Sequence, residues 1–226
     1  MTRSSAGPLI AAFAVGAALC AGARADSTFY GPIPYLSAQD SPFHDEILAG
    51  TDFLETFECN SVVAPGVAVT GGSVIGPSGV TDSVDADDGV IDGSGTGGHS
   101  ILGDGAGIIF TFDQTVLGAL PVEAGIVWTD GGFGCDVTFE AFGPGGVSLG
   151  SLTATAQGDN SFSGTTGEDI FYGVFDPGGI ESIKISDSIG GLEADHLQYT
   201  FEIDHGITIF QENFECGLSK WSSVVP

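Results

Sequence analysis

Apolar residues in this chain recur at every second position in short runs, and glycine and proline stand between the runs. With 37 Gly and 10 Pro in 226 residues, no stretch escapes a turn former for long, and long helices are poorly served by such punctuation. Residues 107–113 place Ile108, Phe110 and Phe112 on one side, and residues 135–142 do the same with Val137, Phe139 and Ala141 before Gly143-Pro144-Gly145-Gly146. A period of two means that one face of a strand is buried. Gly143 to Gly146 then predicts a hairpin into residues 147–156.

Further strands are predicted at 52–58, 66–75, 121–129, 169–176, 180–186, 192–203 and 207–210. Ser41-Pro42 ahead of 43–48 carries the only helical signal, a capping residue followed by a first-turn proline. About ten short strands without intervening helices predict an all-β fold, an antiparallel two-sheet sandwich of jelly-roll type. Forty-two per cent apolar residues, sixteen of them Phe, supply a core that a disordered acidic chain lacks.

Residues 1–25 read as a secretory leader. Arg3 precedes an apolar stretch at 9–20, and Ala23-Arg24-Ala25 offers a small-x-small cleavage site. That stretch is shorter than a membrane span requires. The sandwich is then assigned to 26–210 and a short tail to 211–226, with no transmembrane segment expected in the mature chain. Cys59, Cys135 and Cys216 remain in it, an odd number in an oxidising compartment, so at most one internal disulfide forms. Cys59 and Cys216 share a Phe-Glu-Cys context near the two ends of the domain and are the preferred pair.

Four Lys and Arg against thirty Asp and Glu give a formal charge of -26. Nucleic acid is excluded as a partner, since binding phosphates takes basic side chains. The acidity concentrates in one segment, TDSVDADDGVIDGSGTGGHS, where Asp82, Asp85, Asp87, Asp88 and Asp92 fall within eleven residues. Calcium takes six to eight oxygen ligands at loose geometry, so these carboxylates are candidate ligands for that cofactor. The spacing is not that of an EF-hand: aligning Gly93 with the loop glycine puts Val90 third and His99 last. A solvated acidic loop is the competing reading. A second calcium arrangement, by analogy with jelly-roll modules, would join Glu55 or Glu58 near the first strand to Asp195 near the last.

For a ligand, Trp128 and Tyr172 are the candidate aromatics on which a glycan would stack, with Phe133 and Tyr199 also available. Trp128 alternates with Ala124 and Ile126, which is the pattern of a core residue. No catalytic residue is nominated. No serine stands in a Gly-x-Ser-x-Gly elbow on a strand-to-helix turn, and in Asp195-His196 and Asp204-His205 strand neighbours point to opposite faces.

The stretches TDSVDADDGVIDGSGTGGHS, GIVWTDG, VTFEAFGPGG and DIFYGVFDPGGIESIKISDSIGGLEADHLQYTF resemble secreted bacterial proteins of which many carry a PEP-CTERM sorting tail. The resemblance covers most of residues 50–203. The tail itself is missing: the chain finishes NFECGLSKWSSVVP, similar to Phe-Glu-Ser-Gly...Trp-Ser endings of other exported proteobacterial proteins, with Cys216 where those have Ser. The resemblance implies an exported β-sandwich at or outside the cell surface and transfers no site residues. The expected function is a secreted, non-catalytic sandwich with structural calcium that binds a glycan. A carbohydrate-active hydrolase using a carboxylate pair and a purely structural matrix or envelope component are the alternatives.

Overall fold

The computed structural model describes residues 26–43, 52–86, 97–104, 106–158 and 168–201. Twelve strands lie in this range. The first six are β1 (Thr28–Pro34), β2 (Asp52–Glu55), β3 (Val67–Thr70), β4 (Gly72–Ile75), β5 (Ser100–Gly103) and β6 (Ile108–Phe112). The remainder are β7 (Glu123–Asp130), β8 (Cys135–Gly143), β9 (Val147–Gln157), β10 (Ile170–Phe175), β11 (Ser182–Asp187) and β12 (Leu192–Thr200). The described helical content is one turn, α1 (Gln114–Leu117), and two 3-10 turns at Ala38–Asp40 and Val84–Ala86. Asp113 caps α1 by accepting from Thr115 N, and Gly118 ends it at φ 82°, the left-handed position that glycine takes at least cost.

The strands form two antiparallel sheets. One has the order β1-β10-β7-β12-β5-β4, with β2 also paired to β12; the other runs β3-β6-β11-β8-β9. The eight consecutive strands β5 to β12 thus interleave as 5-12-7-10 and 6-11-8-9. That is the jelly-roll order, in which every connection but the β8–β9 hairpin crosses between sheets. The sandwich anticipated from the alternation is therefore the fold.

Its core is built from the inward sets that the period of two defines. Ile108, Phe110 and Phe112 of β6, Val137 and Phe139 of β8, and Ile183 and Ile185 of β11 face Ile126, Trp128, Tyr172, Val174, Leu197 and Tyr199 of the other sheet. Each large apolar side chain so buried contributes roughly 1.5–3 kcal/mol. Cys135 joins this core as a free thiol, whereas Cys59 is disulfide-bonded. Cys216, the other member of the expected pair, lies outside the described residues.

Three local departures from the expected strands have physical causes. The run 66–75 is two strands in different sheets, broken at Gly71 (φ 81°), where a Cβ would collide with the Gly107 carbonyl. Strands β1 and β5 were absent from the expectation because neither TFYGPIP nor SILG alternates. The expected strand at 207–210 and most of the helix at 43–48 lie outside the described residues.

The two sheets differ in what covers them. Every residue of β12 is buried, and all but the first of β7, whereas β8 and β11 alternate buried with partly exposed positions. Beyond β1 the chain turns back over the seven-stranded sheet, and a second apolar cluster of Tyr35, Phe43, Val84, Val127 and Phe171 forms on its outer side. Among the described residues no such cluster lies on the outer face of the five-stranded sheet, which is partly exposed. Among the described residues no helix is long and apolar enough to cross a membrane.

Candidate functional site

The covered face carries a buried polar network centred on β12. Glu193 Oε2 accepts hydrogen bonds from Asp82 N (2.8 Å) and Ser100 Oγ (2.7 Å). Asp195 Oδ2 accepts from Ser83 Oγ and Val84 N, both at 3.0 Å, while Oδ1 accepts from the backbone N of His196 (2.6 Å). Between Asp195 and Gln198 the register against β7 slips, and His196 adopts φ 47°. This is a β-bulge, with one extra residue on β12.

Because of that bulge Asp195 and His196 both face outward, and the alternation argument that separated them fails here. They nevertheless make no side-chain hydrogen bond to each other. The His196 ring instead meets Tyr35, whose OH lies 3.0 Å from Nδ1, and Asp85, whose Oδ1 lies 3.2 Å from Nε2. The second contact is at ion-pair distance but outside the angular range of a well-formed hydrogen bond. Gln198 Nε2 donates to the Tyr35 OH (2.8 Å), and Ser41 Oγ donates to Gln198 Oε1 (2.5 Å). With the Tyr35 oxygen accepting from Gln198, its own proton is directed at Nδ1, which puts the neutral ring's proton on Nε2, facing Asp85.

Burial sets the electrostatics of this network. It pushes the carboxyls of Glu193 and Asp195 up to about 7 each; for Glu193 its hydrogen bonds from Asp82 N and Ser100 oppose the rise, for Asp195 the charge of His196 does. For His196 burial acts against the charge, but Asp195, Asp85 and Glu58 outweigh it and raise the imidazole. For Asp85 burial again opposes the charge, and the contacts with His196 and Thr56 hold its carboxyl below the ordinary value. The Tyr35 phenol is pushed up by burial and then by Asp195.

The sequence-predicted metal ligands are distributed as follows. Asp82, Asp85 and Asp195 come together in this network, Asp82 through its backbone N and Asp85 and Asp195 through their carboxylates. Glu58 sits in the loop after β2, where it accepts from His99 N (2.5 Å) and faces His99 Nδ1 at 3.3 Å. Glu55, its alternative, accepts from the backbone of Phe57, Val63 and Ala64 and so closes the same loop. Among the described residues no three His, Cys, Asp or Glu side chains are arranged to hold a metal ion. Asp87, Asp88 and Asp92 lie outside the described residues.

Trp128 and Tyr172, the expected stacking platform, are both 0% exposed. Alternation with Ile126 turns them between the sheets, where no sugar reaches them. Tyr199 is buried as well, and of the four aromatics named for stacking Phe133 alone is exposed, at 64%. The sequence Gly146-Val147-Ser148-Leu149-Gly150 matches the spacing of a nucleophile elbow, but Ser148 lies in β9 beside its hairpin with β8, not on a strand-to-helix turn.

Among the described residues, the five-stranded sheet presents a partly exposed outer face. Its central cross-strand row is Thr70, Ile109, Lys184, Glu140 and Ser151, each opposite the next. The row on one side places Thr111 beside Ser182 and Ser182 beside Phe142. On the other side Ser186 pairs with Thr138, and Thr138 Oγ1 lies 3.0 Å from Thr153 Oγ1. Lys184 Nζ meets Glu140 Oε2 at 3.2 Å. Phe142 and Ile109 belong to neither apolar cluster, which places both on the outer side. Hydroxyls, one ion pair and two apolar side chains thus share a sheet surface. This set escaped the sequence reading, although the period of two that turned Val137, Phe139 and Ala141 inward also turns Thr138, Glu140 and Phe142 outward.

No protein-family model matches the chain, and no curated protein matches it. Two solved structures are similar over 64% of the chain. One is the enzymatically active domain of tailspike protein 4 of bacteriophage CBA120, at 14% identity and a TM-score of 0.33, of which the match spans 20%. The other is the carbohydrate-binding module TmCBM61 in complex with β-1,4-galactotriose, at 13% identity and a TM-score of 0.29, of which it spans 94%. Scores this low leave the architecture resting on strand order alone.

Proposed function

We propose that this protein is an exported glycan-binding β-sandwich whose binding surface is the open face of the five-stranded sheet. A single observation carries the reading: the central strands β7 and β12 of one sheet are covered on both faces, whereas the other sheet presents rows of hydroxyls around Phe142, Ile109 and the Lys184–Glu140 pair. A sugar offers apolar C–H faces and a rim of hydroxyls, so a surface combining an aromatic ring with convergent donors and acceptors matches it. The buried network on the opposite face serves the fold, since its carboxylates are engaged by the Ser83, Val84 and Ser100 segments that cover them.

Titration calorimetry against plant, algal and bacterial polysaccharides tests the reading. Phe142→Ala is expected to weaken the bound glycan about tenfold, the loss of roughly one aromatic contact. A blank across the whole panel would sink it.

A further inference from the structure

Building on the glycan reading, we infer that the Lys184–Glu140 pair is the specificity-determining element of the open face, that it takes a vicinal diol of a neutral sugar, and that it discriminates against glycans bearing carboxylate or sulfate. The geometry is that of a donor and an acceptor held side by side. Nζ and Oε2 are 3.2 Å apart, and the two side chains retain 27% and 33% exposure, so both heads reach solvent. Gly107 makes room for the lysine stem: a Cβ there would stand 2.7 Å from Lys184 Cε.

An ammonium group has three donors, of which the Glu140 contact takes one. The carboxylate keeps acceptor capacity beyond that contact. Neighbouring hydroxyls of a sugar ring are separated by a comparable distance, and each both donates and accepts. One hydroxyl therefore accepts from Nζ while its neighbour donates to the Glu140 carboxylate, closing a ring of hydrogen bonds that involves a charged partner at each step. Phe142, two residues beyond Glu140 on β8 and diagonal to Lys184, and Ile109, opposite Lys184, flank the pair with apolar surface for the C–H face.

Charge decides the class of sugar. Lys184 is the single Lys or Arg among the described residues, and Glu140 neutralises it. A uronate or sulfate arriving here finds no uncompensated cation and meets the field of a chain with formal charge -26. A neutral glycan incurs no such penalty.

The test uses calorimetry on the full chain with paired oligosaccharides of one linkage, differing only in a hydroxymethyl or a carboxylate at C6. The neutral member is expected to bind at least tenfold more tightly at low salt, with the gap narrowing as salt is added. Lys184→Met and Glu140→Ala should each weaken it about tenfold with melting temperatures unchanged, because an exposed pair contributes little to stability. Glu140→Lys, which leaves two uncompensated cations, should gain salt-sensitive affinity for the uronate. Neutral binding that survives both truncations, or a uronate bound as well as its neutral partner, overturns this inference while the glycan reading stands. Failure of the unaltered protein to bind any member of either series overturns both.

Discussion

His196 shows how one backbone position reorganises its surroundings. At φ 47° it adds a residue to β12, and its ring then fills the space between Tyr35 and Asp85. Removing it leaves the buried Tyr35 proton without an acceptor, although Gln198 still donates to that oxygen, and takes the ion-pair partner from the more exposed Asp85; an unsatisfied buried group costs about 1–3 kcal/mol. His196→Ala is accordingly expected to lower the unfolding free energy in urea by about 2–4 kcal/mol, and Tyr35→Phe by about 1–2 kcal/mol, since the phenol holds both His196 and Gln198. Equal midpoints for Tyr35→Phe and the unaltered protein would show that this hydroxyl is dispensable. Between the sheets, burial and then Asp187 push the Cys135 thiol up to about 11. The thiolate is the reactive form, so Cys135 should resist alkylation at pH 8 in the folded protein and react once it is unfolded, which mass spectrometry reads directly.

Strand β12 concentrates the titrating groups. Glu193 rises from 4.5 to about 7, Asp195 from 3.8 to about 7, and His196 also rises from 6.5. Each group therefore holds its proton to higher pH folded than unfolded. The stability each contributes is complete below its unfolded value and is lost as pH climbs through the folded one. Asp85 acts oppositely, losing its contribution only as pH falls below the ordinary carboxylate range. The melting temperature is thus expected to fall by roughly 5 °C or more between pH 5.5 and 8.5. Asp195→Asn should flatten that slope. A melting temperature that rises across the same window would mean that these carboxyls are not buried as described.

Across the whole molecule, the two faces of one strand have different consequences. Phe139 and Phe142 are three residues apart on β8, yet the first is in the core and the second on the open face. Phe139→Ala should cost about 3–5 kcal/mol, whereas Phe142→Ala should cost less than about 1 kcal/mol and, under the proposed function, act on glycan binding instead. Chemical denaturation of the two variants separates them, and equal losses would contradict the assignment of faces.

Both faces of β8 could be assigned from its letters, because side-chain direction in a strand is a local property with a fixed period. For the same reason the sandwich, its hairpin at Gly143 to Gly146 and most core positions followed from the amino-acid order. The cover over the seven-stranded sheet did not. Ser83 reaches Asp195 across 112 residues and Tyr35 reaches His196 across 161, and no window along the chain contains both partners. The corner at Gly71 and the bulge at His196 likewise depend on what the neighbouring strands present. Local order therefore determined that two apolar-faced sheets form. Which sheet is shielded, and which keeps a partly exposed outer face, was settled only when distant segments met.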